Sequence, residues 1–324
     1  LGRPLIADPE LIEKWRTNQS ERVRPCGYCL QGCLHRLKNK QPLGCNINPE
    51  LGRQELGTTS SPKKVLVAGG GPAGLAAAVY MGRRGHKVTL AEKSDRLGGQ
   101  FELAWQAPGK AEMKKGLEWL KNEAKRTAES VLLKTPVDAN LVRKTGADLL
   151  VWAVGAFPSS PEIEGLDSQN TMTALEFFED PAKVVGPRVL IIGAGRSGLE
   201  IAEKLGRDQF QVTATKRTDP VGSMMEAITR KLALMRIEQM ENVTLMPLTT
   251  VKAFLDDGVL IERDGAEDKL EPFQTVVLAA GMVPAPGPGE DIRNFVDKVE
   301  IIGDAEKVQD IFSALHAGYE LALN

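Results

Sequence analysis

Four cysteines, Cys26, Cys29, Cys33 and Cys45, lie within one twenty-residue stretch of a chain that has no other cysteine. Their spacing is C-x2-C-x3-C-x11-C, three in quick succession and one apart. Thiolates gathered this closely form a ligand set, and three chemistries compete for it. Two disulfides would use the same even count, but disulfide frameworks belong to small, cysteine-dense secreted chains and this chain is long. A structural zinc takes two C-x2-4-C pairs, which the isolated fourth cysteine fits poorly. A 4Fe-4S cube needs four corners with no pair symmetry, and three clustered cysteines plus one distant supply them. The spacing favours the cube and leaves zinc open. Gly27, Gly32 and Gly44 are expected to turn the backbone with positive φ and let it approach a metal closely. Arg22, Arg24, His35, Arg36 and Lys38 surround the ligand set, either offsetting its charge or forming a solvated basic loop.

A second chemistry is written in glycines. The apolar run KVLVAG leads into GGGPAG and then a small-residue helix, so Gly69, Gly71 and Gly74 form G-x-G-x-x-G in the strand–turn–helix context that gives the motif meaning. The first glycine allows the tight turn, the second lets the backbone approach a pyrophosphate, and the third lets helix and strand touch. The helix N-terminus then offers free N–H groups to the phosphates. A second strand, KVTLAE, ends in Glu92, eighteen residues beyond Gly74, where a carboxylate accepts the ribose hydroxyls of an adenosine. The pattern recurs at Gly193, Gly195 and Gly198, but the strand after it ends in Thr215, Lys216 and Arg217. Cations at that place lean toward a ribose 2′-phosphate, hence NADP over NAD, with an exposed basic turn as the alternative.

The elements that must position these groups can be read in outline. The 324 residues allow about two domains. The chain is 42% hydrophobic and 26% charged with net charge −2, which gives no general basic field for nucleic acid. The longest apolar run, near 149–157, is about half the length needed to cross a bilayer. A cytoplasmic setting follows, and four thiols holding metal agree with a reducing compartment. The opening LGRPLIADPELIEKW reads as a turn and then a helix with no earlier element to pack on, the tail of something preceding it. Residues 50–62 read as a connector, 110–127 as a helix, and AFPSSPEIEG after Gly155 as a crossover between domains. Apolar spacing at Met224, Met225, Ile228, Leu232 and Met235 predicts a helix over 223–238 whose methionines fill the core. The late pair Gly303-Asp304 sits between a strand and a terminal helix, where the aspartate accepts from a sugar-alcohol hydroxyl or caps the helix.

Two nucleotide folds in tandem, one closed by an acid and one by cations, with a late Gly-Asp strand, form the plan of two-dinucleotide flavoproteins. The segments RPCGYCLQGC, CNINPELGRQE, VLVAGGGPAG, GGQFELAWQAPGK and IIGDAE together resemble the C-terminal half of the 2,4-dienoyl-CoA reductase and trimethylamine dehydrogenase family of Old Yellow Enzyme-type NADH:flavin oxidoreductases, across effectively the whole chain. The resemblance implies an α/β fold with two tandem Rossmann-like domains behind a cysteine-rich 4Fe-4S segment. It divides the chain into residues 1–60 (the end of a barrel helix and the cluster segment), 61–156 and 284–324 (the FAD-binding domain) and 157–283 (the NAD(P)-binding domain). It makes Cys26, Cys29, Cys33 and Cys45 the cluster ligands, and it lines FAD with Gly69, Gly71, Ala73, Gly74, Glu92, Gly99, Gln100, Gly155, Gly303 and Asp304. Gly193, Gly195, Gly198, Lys216 and Arg217 would hold NAD(P)H.

In that family an FMN-bearing (β/α)8 barrel comes first and carries the substrate pocket and proton donor. The resemblance therefore implies a barrel domain or subunit as partner, in a hetero- or homo-oligomer, with no catalytic acid or base on this chain. The usual Ala-Thr-Gly at the first crossover is here Ala153-Val154-Gly155. The amine-dehydrogenase branch degrades the middle glycine motif and holds ADP in place of FAD, whereas here that motif is intact. Electron flow from NAD(P)H to an activated alkene is the expectation. The alternatives are reversed flow from an amine or N-methyl substrate, a zinc-bearing assembly subunit, and a glutamate-synthase small-subunit type reductase, which would need more cysteines.

Overall fold

The structure, a computed structural model, describes every residue except Gln54. The chain forms two compact units, one of Leu1–Trp105, Lys110–Phe157 and Pro284–Asn324, the other of Gln106–Gly109 and Pro158–Val283.

The first unit opens with two short helices, α1 (Gly2–Ala7) and α2 (Leu11–Arg16). The expected opening turn is thus a helical turn, started by Pro4 inside its first residues, where a missing N–H costs nothing. After the cysteine segment come β1 (Lys64–Ala68), α3 (Pro72–Arg83), β2 (Lys87–Ala91), α4 (Met113–Thr127), β3 (Ser130–Leu132) and β4 (Leu149–Trp152). The helix expected from residue 110 begins at Met113, the three residues before it being loop and turn. The chain returns as β13 (Lys298–Ile301) and α7 (Ile311–Leu323). The five strands lie in the order β13-β4-β1-β2-β3, all parallel. A parallel sheet covered on both faces needs apolar residues throughout, and β1 supplies them. Val65 and Val67 face α3, α4 and α7, while Leu66 and Ala68 face a second core with Val142, Ala147 and Ile292.

Small residues set the helix packing. A Cβ on Gly318 of α7 would lie 2.6 Å from both the Ala73 oxygen and the Ala77 nitrogen of α3, so the two backbones touch there. One turn on, Tyr80 and Tyr319 meet edge to face at 4.9 Å. At the far end of α3, Arg83 donates to Glu123 of α4 at 2.8 Å, and Arg126 holds the same buried carboxylate.

The second unit repeats the plan with β5 (Thr171–Thr173), β6 (Arg188–Ile192), α5 (Arg196–Arg207), β7 (Gln211–Lys216), α6 (Ala227–Ile237) and β8 (Val243–Pro247). An antiparallel meander, β9 (Thr249–Leu255), β10 (Gly258–Arg263) and β11 (Ala266–Leu270), precedes β12 (Thr275–Leu278). The parallel order is β5-β12-β6-β7-β8. Val251, Phe254, Val259 and Ile261 of the meander cover one face against Leu190, Val276 and Leu278.

Strand β11 carries no apolar pattern because AEDKL lies on the exposed edge of the meander. The helix expected over 223–238 spans Ala227–Ile237, started where the Glu226 carboxylate accepts from the N–H groups of Ile228 and Thr229. Its buried residues are Ala233 and Ile237, while Met224, Leu232 and Met235 are exposed. Of the expected core methionines only Met225 is buried with it, because the turn before Glu226 rotates the apolar spacing onto the outer face.

Gly318→Leu should force α7 off α3 and lower unfolding stability in urea by about 1–3 kcal/mol, as overpacking does. The Arg83 and Arg126 guanidinium groups, together outweighing burial, hold the Glu123 carboxyl below its ordinary 4.5. The unfolded chain therefore takes up a proton there first, and stability should fall as pH drops below about 4.5. Glu123→Gln should flatten that acid limb in urea titrations at a series of pH values.

Candidate functional site

The cysteine loop and its tail, residues 24–50, pack against α4 and α7 of the first unit. Cys26, Cys29, Cys33 and Cys45 line one pocket, closed by Arg3, Ile6, Pro25, Ile47, Phe101 and Met113. None of the four is disulfide-bonded. Among the described residues no three His, Cys, Asp or Glu side chains are gathered tightly enough for a single ion. The four thiols instead stand around the pocket wall.

Positive φ falls elsewhere than expected. Gly27, Gly32 and Gly44 all keep ordinary φ, and the left-handed residues of the segment are Tyr28 (φ 53°), Leu30 (φ 60°) and Lys40 (φ 56°). Left-handed backbone at a bulky leucine is costly, and such strain persists only where surrounding structure imposes it. The glycines serve close approach alone. A Cβ on Gly32 would lie 2.7 Å from the Asn46 nitrogen and 2.8 Å from the Cys45 Cα, so only glycine brings the Cys33 turn against Cys45. The Gly44 N–H closes this contact by donating to the Gly32 carbonyl at 2.8 Å. A π-helical turn, Gln31–His35, carries Cys33 between them.

Burial pushes the Cys29 thiol up to about 12, against the pull of the Gln31 N–H, and the other three thiols raise it further. Burial also raises Cys45, against the pull of the Ile47 and Asn48 backbone N–H groups and the Arg24 charge. Thiols so desolvated ionise when a cation or cluster takes the negative charge, and N–H donors aimed at sulfur are the contacts that tune iron–sulfur ligands. The donor set and the Gly32 cradle fit such a group. Of the five basic neighbours, Arg22 and Lys38 are exposed and His35 and Arg36 half-buried, but Arg24 is buried among Asp8, Asn48 and Glu50, which a solvated loop does not explain. The amide donors and Arg24's partners carry no motif. The only sequence signal for them is the buried pair Asn46 and Asn48 after Cys45.

The two glycine turns are built alike. Gly69 (φ 104°) and Gly193 (φ 109°) make the tight turns, and a Cβ on either would strike the carbonyl of Ala153 or Ala279 just past the end of the neighbouring strand. Gly74 and Gly198 lie against the carbonyls of Gly69 and Gly193, while Gly71 and Gly195 cap α3 and α5 with open space where a Cβ would go. That open space is where a phosphate would approach the helix N-terminus.

In the first unit the other expected residues gather there. Glu92, at the tip of β2, accepts from the Gly70 N–H at 2.6 Å and the Ser94 N–H at 2.8 Å. Gly99 lies against Gly71, and Gly303 against Ala73. Gln100 donates to the Ala156 carbonyl at 3.2 Å, next to Gly155. Asp304 accepts from the Gln309 N–H at 3.0 Å, and burial raises its carboxyl above the usual range. The helix cap expected as its alternative role belongs to Asp310, which accepts from the Ser313 N–H.

In the second unit Lys216 bonds the Thr218 hydroxyl, whereas Arg217 is exposed at the strand tip. The two cations are therefore not equivalent, and Arg217 is the one with its guanidinium uncommitted to Thr218. Gly318, which seats α7 on the first turn of α3, is a site-supporting residue that no motif in the sequence marks.

Gly32→Ala should separate the Cys33 turn from Cys45 at a cost of about 1–3 kcal/mol. Metal bound per chain, measured as iron, acid-labile sulfide and zinc, should fall while the circular dichroism of the folded chain stays.

A family model described as pyridine nucleotide-disulphide oxidoreductase matches residues 63–301. The chain is 32% identical over 340 residues to the NADH oxidase of Thermoanaerobacter brockii, across 99% of this chain and 51% of that protein. It is also 32% identical over 329 residues to the bilirubin reductase of Mediterraneibacter gnavus, across 100% of this chain and 50% of that protein. Among solved structures, 2-naphthoyl-CoA reductase in complex with 2-naphthoyl-CoA superposes with a TM-score of 0.91 at 28% identity, over 99% of this chain and 49% of that one. The chain thus spans about half the length of the relatives it matches. No helix among the described residues is long and apolar enough to cross a membrane. With its two matching glycine turns and this coverage, the chain belongs to the pyridine nucleotide-disulphide oxidoreductases, NAD(P)H-dependent flavin enzymes, and corresponds to the C-terminal half of the 2,4-dienoyl-CoA reductase and Old Yellow Enzyme-type family.

Proposed function

We propose that this chain is the electron-transfer half of an iron–sulfur flavoenzyme, working in the cytoplasm with an FMN-bearing barrel that reduces an activated alkene such as an enoyl-CoA. The observation that carries the reading is that four half-buried thiols line one pocket in the same unit as the glycine turn built for a dinucleotide. When bound, the nicotinamide would supply electrons in pairs, the flavin would divide them and the cluster would carry them singly. Everything else is done by this chain's residues.

Gly69, Gly71 and Gly74, with the first turn of α3, would bind the FAD pyrophosphate, and Glu92 the adenosine ribose. Gly99, Gln100, Gly155, Gly303 and Asp304 would line the rest of the flavin. Gly193, Gly195 and Gly198 would bind the nicotinamide dinucleotide, with Arg217 reading a 2′-phosphate as a bidentate donor. Cys26, Cys29, Cys33 and Cys45 would hold the cluster, and the Gln31, Ile47 and Asn48 N–H groups would stabilise charge on its sulfurs. Relatives named as bilirubin and cinnamate reductases support reduction over amine oxidation as the working direction.

The purified chain, held anaerobically, should release FAD on denaturation, contain iron and sulfide, and lose its flavin absorbance when NADPH is added. Flavin that stays oxidised under excess NADPH and NADH defeats the reading, and release of ADP without flavin moves it to the amine-oxidising direction. Arg217→Ala should raise KM for NADPH about tenfold, roughly 1.4 kcal/mol, and leave NADH unchanged. Equal loss with both nucleotides would show that Arg217 does not read the phosphate.

A further inference from the structure

We propose that Arg24 sets the reduction poise of the cysteine site, its buried guanidinium stabilising the negative charge that the site gains when it accepts one electron. This rests on the reading of Cys26, Cys29, Cys33 and Cys45 as ligands of an iron–sulfur cube. Arg24 stands two residues before Cys26 and is 6% exposed. Its backbone N–H donates to Asp8 Oδ2 at 2.7 Å. Its guanidinium forks onto Asn48 Oδ1 and the Glu50 carboxylate and lies over the Trp119 ring, Cζ 4.7 Å from the centroid. Trp119 is itself held by donating Nε1–H to the Arg22 carbonyl at 3.1 Å. The charge therefore cannot turn toward solvent, as a surface arginine would.

The same fork reaches the ligand shell. Asn48 follows Cys45 by three residues, its Oδ1 also accepts from the Glu50 N–H at 3.1 Å, and its Nδ2 donates to the Ile6 carbonyl at 3.0 Å. Asn48 is thereby fixed on both sides, and its own N–H is one of the two that pull the Cys45 thiol down against burial. Arg24 acts on the site as a nearby cation and as the clamp on that donor, which makes it a positioning residue.

The two carboxylates that face Arg24 do not cancel it, since each is shared with a second cation. Asp8 pairs with Lys14 at 2.8 Å, and Glu50 with Arg83 at 3.3 Å. Reduction adds one electron and one unit of negative charge, with no bond made or broken, and the electron comes from the bound flavin or a chemical reductant. Net charge, hydrogen bonds to sulfur and solvent exposure set the potential of such a site, and a cation out of water acts on it several-fold more strongly than one in water.

The test is an anaerobic potentiometric titration of the reconstituted full chain, read by electron paramagnetic resonance of the reduced cluster. Arg24→Gln should lower the midpoint by about 59 mV or more, a tenfold change in the one-electron equilibrium. Arg24→Lys, which keeps the charge, should recover most of that shift, and Glu50→Gln should move the midpoint upward. A packing effect alone would not follow the sign of the charge, so equal shifts in the Gln and Lys variants, or none in either, overturn the proposal. Should Arg24→Gln lose its iron or fail to fold, Glu50→Gln decides: an upward shift supports the assignment, and an unchanged or lower midpoint overturns it. A wild-type chain holding zinc without acid-labile sulfide would overturn the ligand reading and this proposal together. A wild-type cluster indifferent to charge at residues 24 and 50 overturns the role of Arg24 alone.

Discussion

The backbone contact between α3 and α7 is the constraint on which the first unit depends. Gly318 lets α7 lie against the Ala73 oxygen and the Ala77 nitrogen, and Gly303, just ahead of α7, touches Ala73 itself. The first turn of α3 is thereby fixed from behind by the last element of the chain. Its free N–H groups then face the open side at Gly71. A helix N-terminus is useful to an anion only if the helix cannot shift, because the dipole and the N–H groups act within the first turn. The opposite end of α3 is tied as firmly, through Arg83 to Glu123 of α4 and to Glu50 of the cysteine segment. One twelve-residue helix thus connects the first glycine turn to the cysteine segment.

That tie is made of charges, and the order of the charges matters. Lys14, Asp8, Arg24, Glu50, Arg83, Glu123 and Arg126 form a series in which cations and carboxylates alternate, Arg24 joining Asp8 through its backbone and Glu50 through its side chain. A lone buried ion is costly, and a buried pair is retained only where additional hydrogen bonds complete it. Here Tyr80, Asn48 and Trp119 supply some of those contacts. A row of well-packed leucines would hold the segment at least as stably. Charge in its place, next to four thiols, points to an electrostatic purpose.

The parts of the molecule legible in sequence are those where one residue type is the only solution. Gly69 and Gly193 need positive φ, and Gly74 and Gly198 need the absence of a Cβ, so the spacing of the motif discloses strand, turn and helix together. The alternation of strand and helix that follows gives the parallel sheets. What stayed hidden was decided by neighbours distant in the chain. Gly32 looks like a turn glycine and is in fact a contact glycine, because Cys45 presses on it, and the positive φ passed to Tyr28 and Leu30. Arg24 reads as one cation in a basic run, and only Glu50 and Trp119, placed there by the fold, bury it. The apolar spacing of 223–238 named the right element and the wrong face, since the cap at Glu226 sets the rotation of α6.

The two glycine turns share their backbone to a close degree and differ at the tip of the following strand. Glu92 is buried and already accepts from Gly70 and Ser94, so its carboxylate is fixed in place, where it would accept from hydroxyl groups and repel an added phosphate. In the second unit Lys216 stands at the position of Glu92, and the carbonyl of Thr215, the counterpart of Ala91, accepts from both Gly193 and Ala194, so the strand tip needs no carboxylate and Arg217 beyond it is exposed. A fixed acceptor suits a cofactor that stays, because its burial cost is met once, at folding. An exposed cation suits a nucleotide that comes and goes, because water can replace the ligand at little cost and the charge still attracts it from a distance. Under the proposed function the same fold would offer a resident site and an exchange site, and the difference would lie in one strand end.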